Sequence, residues 1–471
     1  MAADPNMTIR LRVMRRLVSA VAAVVAIGVV AAVGGAGIGG AALAPIPDIS
    51  GGASASVVAV RRLPVTDSVS VAETSDLSPG VENAAALAAL QAGGAAVPGR
   101  AATVGMTRVL RGGGVVQAAP AGYMFPMGIT VLPADAAAAV MSRTVSGVLG
   151  RNQIVMGRTS ADLRGAAAGD VVELVAANGA IFSFAIGYVA PDAEIGGAEI
   201  VMPPAGADLL GATQVSRVLI WGFGSRAAID AALAANGLER TGVRISRSWA
   251  PASPDGTLGL ARTKAMLGEF AYRVNANGSV SLANNWSATN ITRRTYDSIP
   301  IRASCHNVVV PALQGALTEV ANAGLAGAID VVNANTYGGC FYPRFNRVTG
   351  NLGFLSRHSW GQAFDTNTTT NPQGGVPQMN CNVVRIFRKW GFAWGGNFNT
   401  PDGMHFEYVG ERRDQMVYPS TYCPNVATTT SLPQAEDGVP PLPEPMTEGE
   451  TMFALDGFLL EELDVAIDQG G

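Results

Sequence analysis

Charge is the scarcest property of this 471-residue chain: Asp, Glu, Lys and Arg make up only 14%, and the formal net charge is −4. A balance so close to neutral excludes a global field for recruiting nucleic acid. Lysine is nearly missing, with Lys264 and Lys389 the only two, so almost every fixed positive charge is an arginine. There are just three histidines, His306, His358 and His405, and any imidazole chemistry must run through that short list. The four cysteines, Cys305, Cys340, Cys381 and Cys423, include no CxxC pair, which excludes a zinc site or dithiol redox centre of that spacing. Hydrophobic residues, by contrast, reach 48%, too many for a wholly disordered chain. The length leaves room for more than one domain, at roughly 100–200 residues each.

The longest uncharged stretch lies near the start. Residues 17–33 form an apolar run that a Gly/Ala stretch extends to Ala44, and Arg10, Arg12, Arg15 and Arg16 precede it. About 20 apolar residues cross a bilayer as a helix, and arginines on the N-terminal side hold that end in the cytoplasm. Residues 1–16 are therefore expected in the cytoplasm and 17–40 as a transmembrane anchor or signal segment, with everything beyond outside the cell. Ala42-Leu43-Ala44 has the look of a cleavage site, but Pro45 follows it directly and the apolar run is long, which favours an uncleaved anchor. In that oxidising exterior four cysteines read as disulfides. Of three connectivities, Cys305–Cys340 with Cys381–Cys423 is favoured, because each closes a local loop.

Residues 41–122, small, polar and Gly/Ala-rich, read as a flexible linker. From 123 to 247 the pattern is that of a small α+β domain. Strand-like runs at 171–175 and 181–189 meet at Asn178-Gly179, 217–223 is a further strand, and Ser225 opens a helix that stops at Gly237. That region holds no histidine or cysteine and no catalytic constellation, so spacing or contact with a protein partner is its expected role. Residues 248–257, rich in Pro, Gly and Ser, mark a linker. The region 258–423 carries helical periodicity at 311–325 and 383–390 and a strand at 392–394. The tail, 424–471, has acids and prolines but no Lys or Arg and reads as disordered.

The chemistry concentrates in Ser356-Arg357-His358-Ser359-Trp360-Gly361-Gln362-Ala363-Phe364-Asp365 and in Asp402-Gly403-Met404-His405-Phe406-Glu407. Catalytic zinc takes three N or O ligands and keeps a fourth position for water. His358, Asp365 and His405 supply two imidazoles and a carboxylate. Alternation along a strand puts His405 and Glu407 on one face, and the Gly-containing turn after Asp402 folds that carboxylate back toward the metal. An adjacent carboxylate takes the water's proton and passes it to the leaving amine. His306, with no paired acid motif around it, reads as structural, and Trp360 and Trp394 as core.

The S-x-H-x-x-G-x-A-x-D spacing followed by D-x-x-H resembles the zinc D-Ala-D-Ala carboxypeptidases and endopeptidases of the VanY/VanX-like M15 family. Gly-Gly-Cys-Phe-Tyr-Pro-Arg at 338–344 and Trp-Gly-Gly at 394–396 resemble an exported bacterial subgroup. The resemblance spans roughly 265–412. It implies an α+β peptidase domain over 258–423 with a small central antiparallel sheet flanked by helices. It implies a Zn²⁺ cofactor on His358, Asp365 and His405 and peptidoglycan stem peptides as substrate. Asp402 stands at the acidic base, Arg344 at the arginine that recognises or polarises substrate, and Ser356 at a hydrogen-bonding position. Glu407 orients His405 or serves as base if Asp402 does not reach. A catalytically silent zinc module that binds wall peptides or a protein partner is the alternative.

Overall fold

The computed structural model describes residues 67–73, 77–331, 339–346 and 354–425. The expected N-terminal anchor at 17–40 and the acidic tail beyond 425 lie outside them. Among the described residues no helix is long and apolar enough to cross a membrane.

The first half is one ten-stranded sheet. Its strands are β1 (Ser68–Glu73), β2 (Ala95–Arg111), β3 (Gly114–Ala118), β4 (Phe125–Val131), β5 (Ile154–Gly157), β6 (Val171–Val175), β7 (Ile181–Ala190), β8 (Ile200–Met202), β9 (Val215–Trp221) and β10 (Val243–Arg247). The 17-residue β2 organises it. Its first residues pair with β9, its middle with β4 and its end with β6, so the path β2-β4-β8-β5-β7-β6 closes on itself as a barrel. β9, β1 and β10 extend from β2 as an open wing. The barrel is filled by Met106, Met127, Ile154, Met156, Leu174 and Ile186, all fully buried. The turn between β6 and β7 falls on Asn178-Gly179, where Gly179 takes φ +83°, as that dipeptide requires.

Two findings correct the sequence reading of this half. The stretch 67–122 is not a linker, because it supplies β1, β2, β3 and the helix Pro79–Gln91. That helix is capped by Ser78, whose hydroxyl accepts from Val81 N–H, and buries Val81, Ala85, Ala88 and Ala89 against the wing. Small residues hid the pattern: a face of alanines is a core face here, yet it scores as low complexity. The α+β unit thus begins before residue 123. The segment 248–257 does join the two halves, but it is no loose tether. Asp255 is fully buried, and its carboxylate accepts from Arg388, Asn397 and the Trp394 N–H.

The second half contains two short hairpins, β11 (Tyr272–Val274) with β12 (Val280–Leu282) and β13 (Ile291–Tyr296) with β14 (Ile301–His306). A three-stranded antiparallel sheet follows, in the order β15 (Ala363–Asp365), β17 (His405–Tyr408), β16 (Phe392–Trp394). The helices Val309–Asn322 and Cys381–Lys389 pack in the same core, whose centre is Trp360, Phe364, Phe387, Phe392, Trp394 and Phe406. The disulfides are Cys305–Cys340 and Cys381–Cys423, the favoured pairing.

The halves meet through a buried ionic cluster. Lys264, on the helix Leu260–Leu267, lies 2.9 Å from Glu199 of the barrel half and 3.1 Å from Glu269, while Arg164 pairs with both acids. A backbone pair, Met124 with Tyr272, adds two hydrogen bonds of 2.9 and 2.8 Å.

Candidate metal centre

Two local structures bring the site together. The first is the single 3-10 turn Arg357–Trp360, opened by Ser356, whose hydroxyl accepts from the His358 N–H at 3.3 Å. Gly361 ends it at φ +65°, and a Cβ there would sit 2.7 Å from Ile291 Cδ1 and 2.8 Å from His306 N. Only glycine fits both the left-handed backbone and the close approach to β14. The second is the register of the small sheet, which sets Asp365 of β15 directly opposite His405 of β17. Residues forty apart in sequence become cross-strand neighbours.

His358 and His405 therefore flank one carboxylate. His358 Nε2 is 3.1 Å from Asp365 Oδ2, and His405 Nδ1 is 3.0 Å from Asp365 Oδ1. One donor atom from each of the three residues lies within 4.8 Å of the others. The other nitrogen of His358, Nδ1, faces the Cys340 carbonyl at 3.0 Å. A carbonyl only accepts, so Nδ1 carries a proton, and in the neutral ring Nε2 turns its lone pair toward Asp365. That Nε2 and His405 Nε2 are buried without a hydrogen bond. A lone pair aimed at a carboxylate oxygen is repulsive unless a cation lies between them. Zinc fits: donors about 2 Å from one tetrahedral ion stand roughly 3.4 Å apart. Hence His358, Asp365 and His405 form a candidate metal site, as the sequence had suggested.

Burial works to raise the Asp365 carboxyl, but His358 and His405 together hold it well below the usual carboxylate range. Burial works against a charged His405, yet Asp365 and Glu407, with Asp402 beyond, raise the ring well above its ordinary value.

The remaining expected residues surround this set. Asp402, 5% exposed, is placed by its N–H to the Gly395 carbonyl at 2.8 Å, and its own carbonyl accepts from the His405 N–H at 3.2 Å. A Cβ on Gly395 would approach the Asp402 carbonyl to 2.6 Å and the His405 Cβ to 3.1 Å, which explains the glycine after Trp394. Glu407 shares its strand face with His405, Oε2 standing 3.9 Å from Nε2. It is wholly enclosed, with Gln362 donating at 3.2 Å and the Arg357 Nε forming an ion pair at 3.5 Å. Arg344 donates from Nη1 to Ser356 Oγ at 2.9 Å, so one hydroxyl serves both the ligand turn and the arginine. Next to it Tyr342, 58% exposed, has the Arg344 guanidinium 5.8 Å from its ring centre.

Three contributors escaped the sequence reading, the Cys340 carbonyl, Gln362 and Arg357, and Gly395 figured there only within the Trp-Gly-Gly motif. The first is a backbone group with no sequence signature, and the others sit beside motif residues without themselves bearing the chemistry. His306 is structural, as expected. It is 3% exposed, its Nδ1 accepts from Val308 N–H, its Nε2 donates to the Leu267 carbonyl, and burial lowers its pKa.

Residues 349–408 match the D-alanyl-D-alanine carboxypeptidase family. The matched stretch contains all three candidate ligands and both nearby acids. It supports a peptidase-type function, and peptidases of this family depend on zinc. No curated protein matches the chain.

Proposed function

We propose that the chain is an exported, membrane-anchored zinc metallopeptidase that hydrolyses peptide bonds in peptidoglycan stem peptides, of the D-Ala-D-Ala carboxypeptidase type. The observation that carries the reading is the meeting of His358, Asp365 and His405 beside the buried acid Asp402. The match over 349–408 supports the same chemistry. The anchor, the extracellular placement and the wall substrate rest on the apolar run behind four arginines and on the resemblance of the motifs.

A bound zinc ion supplies polarisation of the scissile carbonyl and lowers the pKa of water to about 7. The protein's own residues do the rest. His358 is held in one tautomer by the Cys340 carbonyl, and Asp365 and His405 are held in register by the sheet. Asp402 accepts the proton of the attacking water and delivers it to the departing amine. Glu407 is enclosed by Gln362 and Arg357 on the His405 side, a setting that suits orienting the ring rather than meeting substrate. Arg344 offers a planar fork to a substrate carboxylate or to the developing oxyanion. Ser356 steadies that fork from the ligand turn.

Purified muropeptides incubated with the protein, analysed by mass spectrometry with and without chelator, test the proposal. Chelator-sensitive loss of stem-peptide residues, restored by zinc, is expected. Intact muropeptides after incubation with zinc-loaded protein would overturn it.

A further inference from the structure

Segment 339–345 runs antiparallel beside the ligand-bearing stretch 355–365, with bridges Gly339–Asp365 and Phe345–Leu355 at its ends. Its contacts fall on the metal ligands and their neighbours. The Gly339 carbonyl accepts from the Asp365 N–H at 3.4 Å, and the Cys340 carbonyl accepts from His358 Nδ1 at 3.0 Å. The Tyr342 N–H donates to the His358 carbonyl at 3.0 Å. Arg344 N–H donates to Ser359 Oγ at 3.1 Å, and that hydroxyl donates back to the Arg344 carbonyl at 3.2 Å. One short strap therefore touches Asp365, His358 twice and the turn between them, and it carries Arg344 as well.

The covalent tether of this strap is Cys305–Cys340, which ties it to β14. The ligand turn rests on the same strand, because the His306 N–H donates to the Gly361 carbonyl at 3.0 Å. Both partners of the His358 Nδ1–Cys340 hydrogen bond are thus referred to neighbouring residues of one strand. Cys305 and Cys340 are themselves 0% and 1% exposed. The second bridge, Cys381–Cys423, lies elsewhere, at the start of a helix and beside Arg388, which donates to the Cys423 carbonyl.

We propose that the Cys305–Cys340 disulfide is a positioning device for the metal centre, fixing the carbonyl that sets the His358 tautomer and the strap that carries Arg344. The inference rests on the zinc-peptidase reading. Breaking this bridge uncouples the strap from β14 and weakens metal binding, whereas breaking the other bridge affects stability alone. The site is then competent only where disulfides persist.

The test compares C305S/C340S with C381S/C423S by competition for zinc against a chromophoric chelator. Near-UV circular dichroism reports the fold and the imidazole nitrogen shifts report the His358 tautomer. Loss of a hydrogen-bonding partner around a metal ligand costs about 10–100-fold in affinity. The expected result is a loss of that size, with a mixed His358 tautomer, in folded C305S/C340S and unchanged affinity in C381S/C423S. Equal zinc affinity in C305S/C340S and the parent, or equal losses in both variants, would overturn the proposal. If C305S/C340S does not fold, the oxidised parent is reduced with a phosphine, which gives two electrons to each S–S bond and takes up a water oxygen. The thiols are then capped with iodoacetamide and the protein desalted before titration. Retained affinity in that material, or collapse of its near-UV spectrum together with zinc loss, likewise overturns it. A parent protein that binds no zinc would sink the functional reading itself, whatever the disulfides do.

Discussion

Outside the metal centre, Asp255 is a residue whose loss the structure makes costly. Its carboxylate pairs with Arg388 through two hydrogen bonds, the Nε one at 2.8 Å, and both side chains are 0–1% exposed. It also accepts from Trp394 N–H at 3.2 Å and Asn397 Nδ2 at 2.8 Å. One carboxylate thus anchors the helix that carries Arg388, the edge strand β16 and the turn leading toward Asp402. Asp255→Ala leaves a guanidinium in the core with only the Cys423 carbonyl and Asn425 Oδ1 to receive its protons. Breaking a buried pair from one side costs about 3–5 kcal/mol, whereas replacing both charges by apolar groups is often close to neutral. Against a typical net stability of about 5–15 kcal/mol, the single change consumes a large share. Guanidinium denaturation followed by tryptophan fluorescence reads the effect, because Trp394 is fully buried in the core that this carboxylate holds through the Trp394 backbone N–H. The expected pattern is a cost of about 4 kcal/mol for Asp255→Ala and a smaller one for D255A/R388M. A cost below about 1 kcal/mol, or a double variant as damaged as the sum of the singles, would refute the account.

Other outcomes follow from the same contacts. Asp402→Asn is expected to leave zinc content intact and lower kcat by about 10²–10⁴, while Glu407→Gln weakens zinc binding with a smaller effect on turnover of the loaded enzyme; steady-state kinetics beside metal analysis reverse the assignment if the two patterns are exchanged. Gly361→Ala must force a Cβ against His306 N in a left-handed backbone, so zinc affinity should drop at least about tenfold by the same logic of ligand support, and a chelator titration matching the parent would show that the turn tolerates it. Burial works to raise the Glu199 carboxyl, but Lys264 and Arg164 outweigh it and hold the group below its ordinary value. Its stabilising contribution is therefore complete above the unfolded value of about 4.3 and lost as pH falls below it. Thermal melts should show this acid loss blunted in Glu199→Gln, and an unchanged pH profile would remove Glu199 from that role.

What the sequence revealed divides along a physical line. Residues whose chemistry is carried by the side chain were legible: His358, Asp365 and His405 by donor type and spacing, Ser225 as a helix cap, Asn178-Gly179 as a turn. Groups that act through the backbone or through close packing were not. The Cys340 carbonyl has no residue-type signature, and Gly395 is required only because β16 and the Asp402 turn approach so closely. The stretch 67–122 was misjudged for a related reason. In the helix Pro79–Gln91 the buried face is Val81, Ala85, Ala88 and Ala89, while Leu87 and Leu90 lie outside at 51% and 73% exposure. A helix lying close on a sheet needs small side chains on the contact face, so its apolar periodicity runs opposite to the usual pattern of large residues inward. The same compactness operates at the metal centre, where Gly361 and Gly395 let β14 and β16 approach the ligand-bearing segments. At these two glycines close packing sets how the ligand-bearing segments are held: Gly361 seats the His358 turn against β14, and Gly395 seats the Asp402 turn beside His405.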